Sequence, residues 1–161
     1  MYTLKNIKQW EGMDGYGLNA DLYREGKKVA RIHDAGNGGE PIIYMEPGAE
    51  KRGFSIQDFQ EWCMCRDGMD GHDINWAWQF WLAGEVNHHE RRKVAMRVLR
   101  KASYTVGGKL YGFKGQYGRT PWSKLTPMQK ESLRRHVQQD GGVLLNDMPK
   151  EKAIEAAMEV L

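Results

Sequence analysis

Apolar and polar residues alternate along the first fifty positions. Leu18, Ala20 and Leu22 are interleaved with Asn19, Asp21 and Tyr23, and Glu25-Gly26 then turns the chain into Val29 to His33. A period of two marks a strand with one covered face, so this segment is predicted as a hairpin. Tyr2 to Trp10 and Pro41 to Met45 are predicted as flanking strands, which gives an antiparallel sheet of three or four. Gly12, Gly15 and Gly17, and the run Gly36-Asn37-Gly38-Gly39, are loop signals.

From Phe54 the period changes to that of a helix. Ser55 followed three residues later by Asp58 has the form of a capping box, and Phe54 and Phe59 hold the positions of a hydrophobic staple. A helix is predicted over about Ile56 to Arg66. Asp67-Gly68-Met69-Asp70-Gly71 breaks it, and Asp73 can cap a long helix running to about Lys101. Gly107-Gly108 joins Tyr104-Thr105-Val106 to Leu110-Tyr111-Gly112-Phe113 in a second hairpin. Thr126-Pro127-Met128-Gln129 gives another start, with Thr as N-cap, Pro at the first position and Gln closing the box. That helix should end at Gly141-Gly142, and Asn146-Asp147-Met148-Pro149 opens a last one towards Leu161. The expected fold class is α+β, with a small N-terminal antiparallel sheet packed on a helical C-terminal part that carries one long basic helix and a short hairpin. Residues 1–50 are expected to form the β module and residues 54–161 the mainly helical part, with the short hairpin near 103–114.

Composition narrows the class. The chain has 161 residues, 40% hydrophobic and 28% charged, which suits one ordinary globular domain or two small lobes. No stretch approaches the roughly 18 apolar residues of a membrane span. Met1-Tyr2-Thr3-Leu4-Lys5 lacks the apolar core of a signal peptide. Cys63 and Cys65 stand two apart and point to different sides of a helix, which argues against a disulfide framework and a zinc knuckle. A soluble protein of a reducing compartment is expected.

Charge changes the picture more. The net charge is only +3, yet Arg91 to Lys130 holds eleven Lys and Arg and no Asp or Glu, leaving 13 basic and 21 acidic residues elsewhere. Net charge speaks to partners and not to fold. At about 100° per residue, Lys93, Arg97, Arg100 and Lys101 share one face of the long helix, while Val94, Ala95, Val98, Leu99 and Ala102 share the other. Like charges four apart on a helix are mutually destabilising, so either the acidic remainder of the fold or an external anion must neutralise them. Arg92, Lys93, Arg97, Arg100, Lys101, Lys109, Lys114 and Arg119 are therefore the candidate partner-binding residues. Arg91 projects to the apolar side and is expected to pair internally, with Asp70 or Glu85.

Aromatic residues raise a second question. The hairpin region interleaves Tyr104, Tyr111, Phe113, Tyr117 and Trp122 with Lys109, Lys114 and Arg119. Basic residues alternating with rings suit single-stranded nucleic acid, although such rings also serve simply to cover a core, the reading favoured here. Trp78 and Trp81 share a face with Ile74, Ala77 and Leu82 and are expected in the core. Trp76 and Phe80, four apart, lie on a second face that needs its own cover, from the N-terminal sheet first, otherwise from a second protomer or a target. They are the candidate self-association residues of an expected homodimer.

No pattern calls for catalysis, a metal or a cofactor. His88-His89-Glu90 lacks the spacing of a zinc helix, and Asp67, Asp70, His72 and Asp73 lack the ligand alternation of a calcium loop. The serines have no nucleophile elbow around them, and Gly36 to Gly39 precedes a strand, unlike a phosphate cradle. A binding protein and not an enzyme is expected.

Several passages carry a resemblance. They are Leu4-Lys5-Asn6-Ile7 leading to Gly12-Met13-Asp14-Gly15, then Asn19-Ala20-Asp21-Leu22-Tyr23-Arg24-Glu25-Gly26-Lys27-Lys28-Val29-Ala30, and Asp34 with the loop through Gly38-Gly39. The basic helix ending near Lys101, the Tyr/Phe hairpin and Leu145-Asn146-Asp147 extend it. Together they resemble small bacteriophage accessory and host-takeover proteins that share an N-terminal β-hairpin module. The resemblance implies an early or accessory protein that acts in the host cytoplasm by binding and inhibiting a host enzyme or defence machine. Chain length alone, with no shared motif, is similar to that of a phage inhibitor of the host Lon protease. A host ATP-dependent protease of the Lon type, presenting an acidic surface, is thus the first expected target and a defence nuclease the next. Nucleic acid bound by the basic 91–130 segment is the alternative.

Overall fold

The structure is a computed structural model that describes residues 1–66 and 73–161. The predicted break at residues 67–71, the acidic cluster with His72, and Asp70 as a partner for Arg91 lie outside the described residues. The fold is α+β, and its contacts divide into two units, Met1–Asn87 and His88–Leu161.

The first unit opens with four strands, β1 (Tyr2–Glu11), β2 (Tyr16–Arg24), β3 (Lys27–Asp34) and β4 (Ile42–Met45). They form an antiparallel meander in the order β1-β2-β3-β4. The alternation seen in the sequence sets which face is covered: Leu18, Ala20, Leu22, Ala30 and Ile32 are buried, while Asn19, Asp21 and Arg31 line the other face. Three glycines let the loops meet at one end. A Cβ on Gly12 would lie 2.3 Å from the Gly36 carbonyl oxygen, and one on Gly17 would enter the Trp10 ring.

Helix α1 (Ile56–Arg66) begins where Ser55 Oγ accepts from the Asp58 N–H at 3.0 Å, one half of the expected box. Phe54 and Phe59 are both buried with Tyr2 packed edge-on to each. Cys63 is buried and Cys65 exposed, on different sides of the helix. Helix α2 (Ile74–Val98) starts at Asp73, whose Oδ1 accepts from the Asn75 and Trp76 N–H groups at 2.7 and 3.3 Å. Trp78, Trp81, Leu82 and Val86 join the sheet residues, Phe54, Phe59 and Cys63 in one core. That shared core is why the contacts divide at Asn87/His88, inside α2.

The second unit takes the end of α2, then β5 (Ser103–Val106), β6 (Lys109–Gly112), α3 (Gly115–Arg119), α4 (Pro127–Gln139), β7 (Val143–Leu144) and α5 (Lys150–Glu159). Gly107 and Gly108, at φ 55° and 74°, make the hairpin turn that a side chain would strain. Strand β7 pairs with the other side of β5, so the predicted hairpin is a three-stranded sheet, β6-β5-β7. Both bonds of the box at α4 form: Gln129 N–H donates to Thr126 Oγ1, and Thr126 N–H donates to Gln129 Oε1 at 2.9 Å. Ala95, Leu145, Ala153, Ile154 and Ala157 form one small core, and Ala102, Leu125 and Leu133 another.

Helix α2 stops at Val98, three residues short of the expected end. Asn146 is the reason. Its Nδ2 donates to the carbonyls of Leu99 and Lys101 at 2.9 and 3.0 Å, and its Oδ1 accepts from the Ser103 N–H at 2.8 Å. Ser103 Oγ donates to the Val98 carbonyl at 3.0 Å. With these carbonyls taken, the chain leaves the helix and enters β5.

Candidate functional site

Of the eight candidate cations, the structure engages two within the second unit. Arg92 Nη2 donates to Glu151 Oε2 on α5 at 2.7 Å, and Lys93 Nζ donates to Glu90 Oε1 at 2.8 Å. Arg91, expected to pair with an acid, donates instead to the Met158 carbonyl near the end of α5. Glu85 is occupied by Arg66. Arg91 and Arg92 thus tie α2 to α5, on the side of α2 that also buries Ala95. His89, beside them, is held below the ordinary histidine value by burial and by the Lys93 charge. Val94, expected on the covered face, is 38% exposed, because α5 covers only the Arg91–Ala95 side.

Arg97, Arg100, Lys101, Lys109, Lys114 and Arg119 are all exposed, and none forms an ion pair with a carboxylate among the described residues. Backbone geometry gathers most of them. The Trp122 N–H donates to the Arg100 carbonyl at 2.9 Å, and Lys101 bridges to Pro121. This lays the Arg119–Lys124 segment along Arg100–Lys101. Lys130 Nζ stands 5.2 Å from the centroid of the Trp122 ring. Lys114 follows Gly112, which is opposite Ser103. Lys109 sits at the far end of the hairpin, three residue steps or about 10 Å along the strand. Arg97 lies one turn back on α2 from Arg100 and Lys101.

The hairpin rings are shared between core and surface. Phe113, Tyr117 and Trp122 pack on Ala102, Leu125 and Leu133. Tyr104 stacks on Tyr111 at 5.5 Å and meets Phe113 at 4.9 Å. Tyr111 keeps 41% of its surface exposed, beside Lys109. Trp78 and Trp81 are buried, as the helix period requires. Trp76 and Phe80 are not covered by the sheet. Their rings stack on each other at 5.3 Å, and they stay 49% and 52% exposed.

Charge divides as the contacts do. Residues 1–87 hold nine Lys and Arg against 14 Asp and Glu, net −5, and residues 88–161 hold fifteen against seven, net +8. In the first unit some cations are paired on the sheet: Lys28 lies 3.0 Å from Asp21 and 2.6 Å from Glu46, and Arg31 is 3.6 Å from Asp21. In the second, every side-chain carboxylate but Glu90 of α2 lies on α4, α5 or the segment between them, where Arg134 clasps Asp147 with two bonds of 2.6 and 2.8 Å. Lys124 and Lys130 complete the cationic rim. The sequence signal for them was only their place in the carboxylate-free stretch.

Among the described residues, no helix is long and apolar enough to cross a membrane. No protein-family model, curated protein or solved structure matches the chain.

Proposed function

We propose that the chain is a binding protein, and that the rim formed by Arg97, Arg100, Lys101, Lys114 and Arg119 docks on an acidic surface of a host protein in the host cytoplasm. The observation that supports this reading is the set of exposed cations without ion-pair partners, next to two neighbours that do have them. A helix face made only for solvation mixes both signs. From Arg91 to Lys130 the sequence carries no carboxylate for forty residues, across the end of α2, the hairpin and the start of α4. The resemblance to phage accessory proteins directs the choice of target, and a Lon-type ATP-dependent protease is the first to test. Bound there, the protein would act by obstruction, and association would be fast and salt-sensitive.

Purified Lon-type protease, degrading an unfolded substrate with ATP, is titrated with the wild-type chain and with Arg100→Glu/Lys101→Glu. Inhibition by the wild type, weakened at least about tenfold by the reversal, supports the reading. Absence of binding and inhibition at low salt removes this target, and a lysate pull-down that returns no host protein removes the class.

One observation favours nucleic acid as a second reading, namely the exposed Tyr111 ring stacked on Tyr104 beside Lys109. Single-stranded DNA and RNA should then bind with an affinity that falls steeply with salt, and Tyr111→Ala should weaken a gel shift. A chain that shifts neither duplex nor single strands at low salt excludes it.

A further inference from the structure

The four-stranded sheet has two edges, β1 and β4, and they are built differently. Strand β1 carries Lys5, Lys8 and Glu11, and its register slips between Lys5 and Lys8, where Asn6 sits at φ 52°. Charges and bulges within the strand are two of the devices that keep an open edge from pairing with another chain, and short strands and prolines are others that limit how far such pairing runs. Strand β4, Ile42-Ile43-Tyr44-Met45, carries neither.

The direction of its backbone groups follows from the register. Glu46 N–H donates to the Val29 carbonyl at 2.9 Å, and the pairs are Ala30↔Met45, Arg31↔Tyr44, Ile32↔Ile43 and His33↔Ile42. Antiparallel ladders alternate bonded and non-bonded pairs. Ile42, Tyr44 and Glu46 therefore bond to β3, and the N–H and C=O groups of Ile43 and Met45 point to the open side. No turn or loop among the described residues bonds to them. The side chains do the reverse: Ile43 and Met45 pack on the core, while Ile42 and Tyr44 are each 51% exposed.

This arrangement is symmetric about Tyr44. One residue away on either side stands an outward donor and acceptor, and three away on either side stands a proline, Pro41 or Pro47, with no N–H. A second copy laid antiparallel, Tyr44 against Tyr44, presents the strand's own complement. Ile43 meets Met45 of the second copy, twice, for four ladder bonds that end where the prolines begin. Tyr44 falls at a non-bonded pair, the closer kind, with Cα atoms about 4.5 Å apart. Aromatic cross-strand pairs are favourable there. Ile42 comes opposite Glu46 of the copy, whose carboxylate arrives already paired with Lys28.

We infer that β4 is a self-association edge, at which two copies join β4 to β4 about a two-fold axis through Tyr44 into one eight-stranded sheet. Such an interface is isologous, so it closes as a dimer and does not grow into a fibre. It is small, and the dimer forms only as concentration rises. It shares no residue with the cationic rim, nor with Trp76 and Phe80.

The test is amide hydrogen exchange on the wild-type chain over a concentration series, with sedimentation equilibrium alongside. The Ile43 and Met45 amides should slow several-fold as concentration rises, and those of Ile42 and Tyr44, already bonded to β3, should change little. The mean mass should climb from 18.6 kDa towards twice that value. Tyr44→Lys, at an exposed site outside the core, sets two ammonium groups face to face and should raise the midpoint concentration at least about tenfold. Ile43→Pro removes one outward N–H and none of the bonds to β3, and should have the same effect should the lysine variant not fold. Exchange at residues 43 and 45 that ignores concentration overturns the inference. So does a dimer that survives Tyr44→Lys but is lost with Phe80→Ala.

Discussion

Asn146 joins the end of α2 to the start of β5, and its removal should be measurable. It makes three hydrogen bonds across 43 to 47 residues of sequence, donating to Leu99 and Lys101 and accepting from Ser103. Each such bond contributes about 1 kcal/mol net, and a buried group left unpaired costs about 1–3 kcal/mol. In Asn146→Ala the Lys101 carbonyl keeps only a share, at 3.3 Å, of the single Ser103 hydroxyl proton that also serves Val98 at 3.0 Å. The Ser103 N–H, in a residue that is 1% exposed, and the Leu99 carbonyl lose theirs. The expected loss is about 2–4 kcal/mol, which moves a urea midpoint followed by far-UV circular dichroism down by about 1–2 M. Asn146→Asp separates the two halves of the contact. It keeps the acceptor for Ser103 but aims a carboxylate at two carbonyls, so the introduced carboxyl is pushed above its unfolded value. The folded state then binds the extra proton, and the variant's stability is highest in acid and falls as pH rises between the two values. A loss below about 0.5 kcal/mol in the alanine variant, or an aspartate variant as stable at neutral pH as the wild type, would refute this account of how α2 ends.

Other outcomes follow from the same contacts. Gly12→Ala should destabilise more than Gly17→Ala, because the first Cβ meets the backbone of Gly36 and the second a Trp10 side chain that can swing away; urea midpoints rank them, and tryptophan fluorescence should shift with the second. Burial pushes the Asp21 carboxyl up, but the hydrogen bonds from Asn6 and Lys28 outweigh it and hold the group below the ordinary carboxylate range. Its contribution is therefore present above the unfolded value near 3.9 and lost as pH falls through the lower folded value, so Asp21→Asn should flatten stability below about pH 4. Moderate salt should raise the melting temperature of the second unit by screening its unpaired cations, while it weakens partner association; a melting temperature that falls with salt would mean those cations are already neutralised.

Much of the fold was legible because its signals are local. Period-two alternation at Leu18, Ala20 and Leu22 needs only neighbours to be read, and so do the caps at Ser55, Asp73 and Thr126. What was missed depends on residues far apart in sequence. Strand β7 is two residues long, too short to show a period, and exists because β5 offers an open side. The early end of α2 depends on Asn146, whose side chain had no reason to stand out among turn residues. Trp78, Trp81 and Val86 complete the sheet's core from a helix more than forty residues away from β2, a contact that no local pattern announces. At the candidate site the charge segregation was readable directly, but the capture of Arg92 by Glu151, 59 residues on, was not.

The fate of Arg92 and Lys93 sharpens the case for the remaining cations. The fold had carboxylates to spend and spent them in particular places: Glu151 on Arg92, Glu90 on Lys93, and Asp147 on Arg134. Each of these ties one element to another or braces one helix turn. Arg100, Lys101, Lys114 and Arg119 hold nothing together through their charges, because the packing of that region is done by Ala102, Leu125, Leu133 and the rings on them. Exposed like charges that brace no element add self-repulsion and no compensating contact within the chain. Their concentration beside one tryptophan and one open hairpin is therefore not explained by folding, and it is this excess that the proposed anionic partner would neutralise.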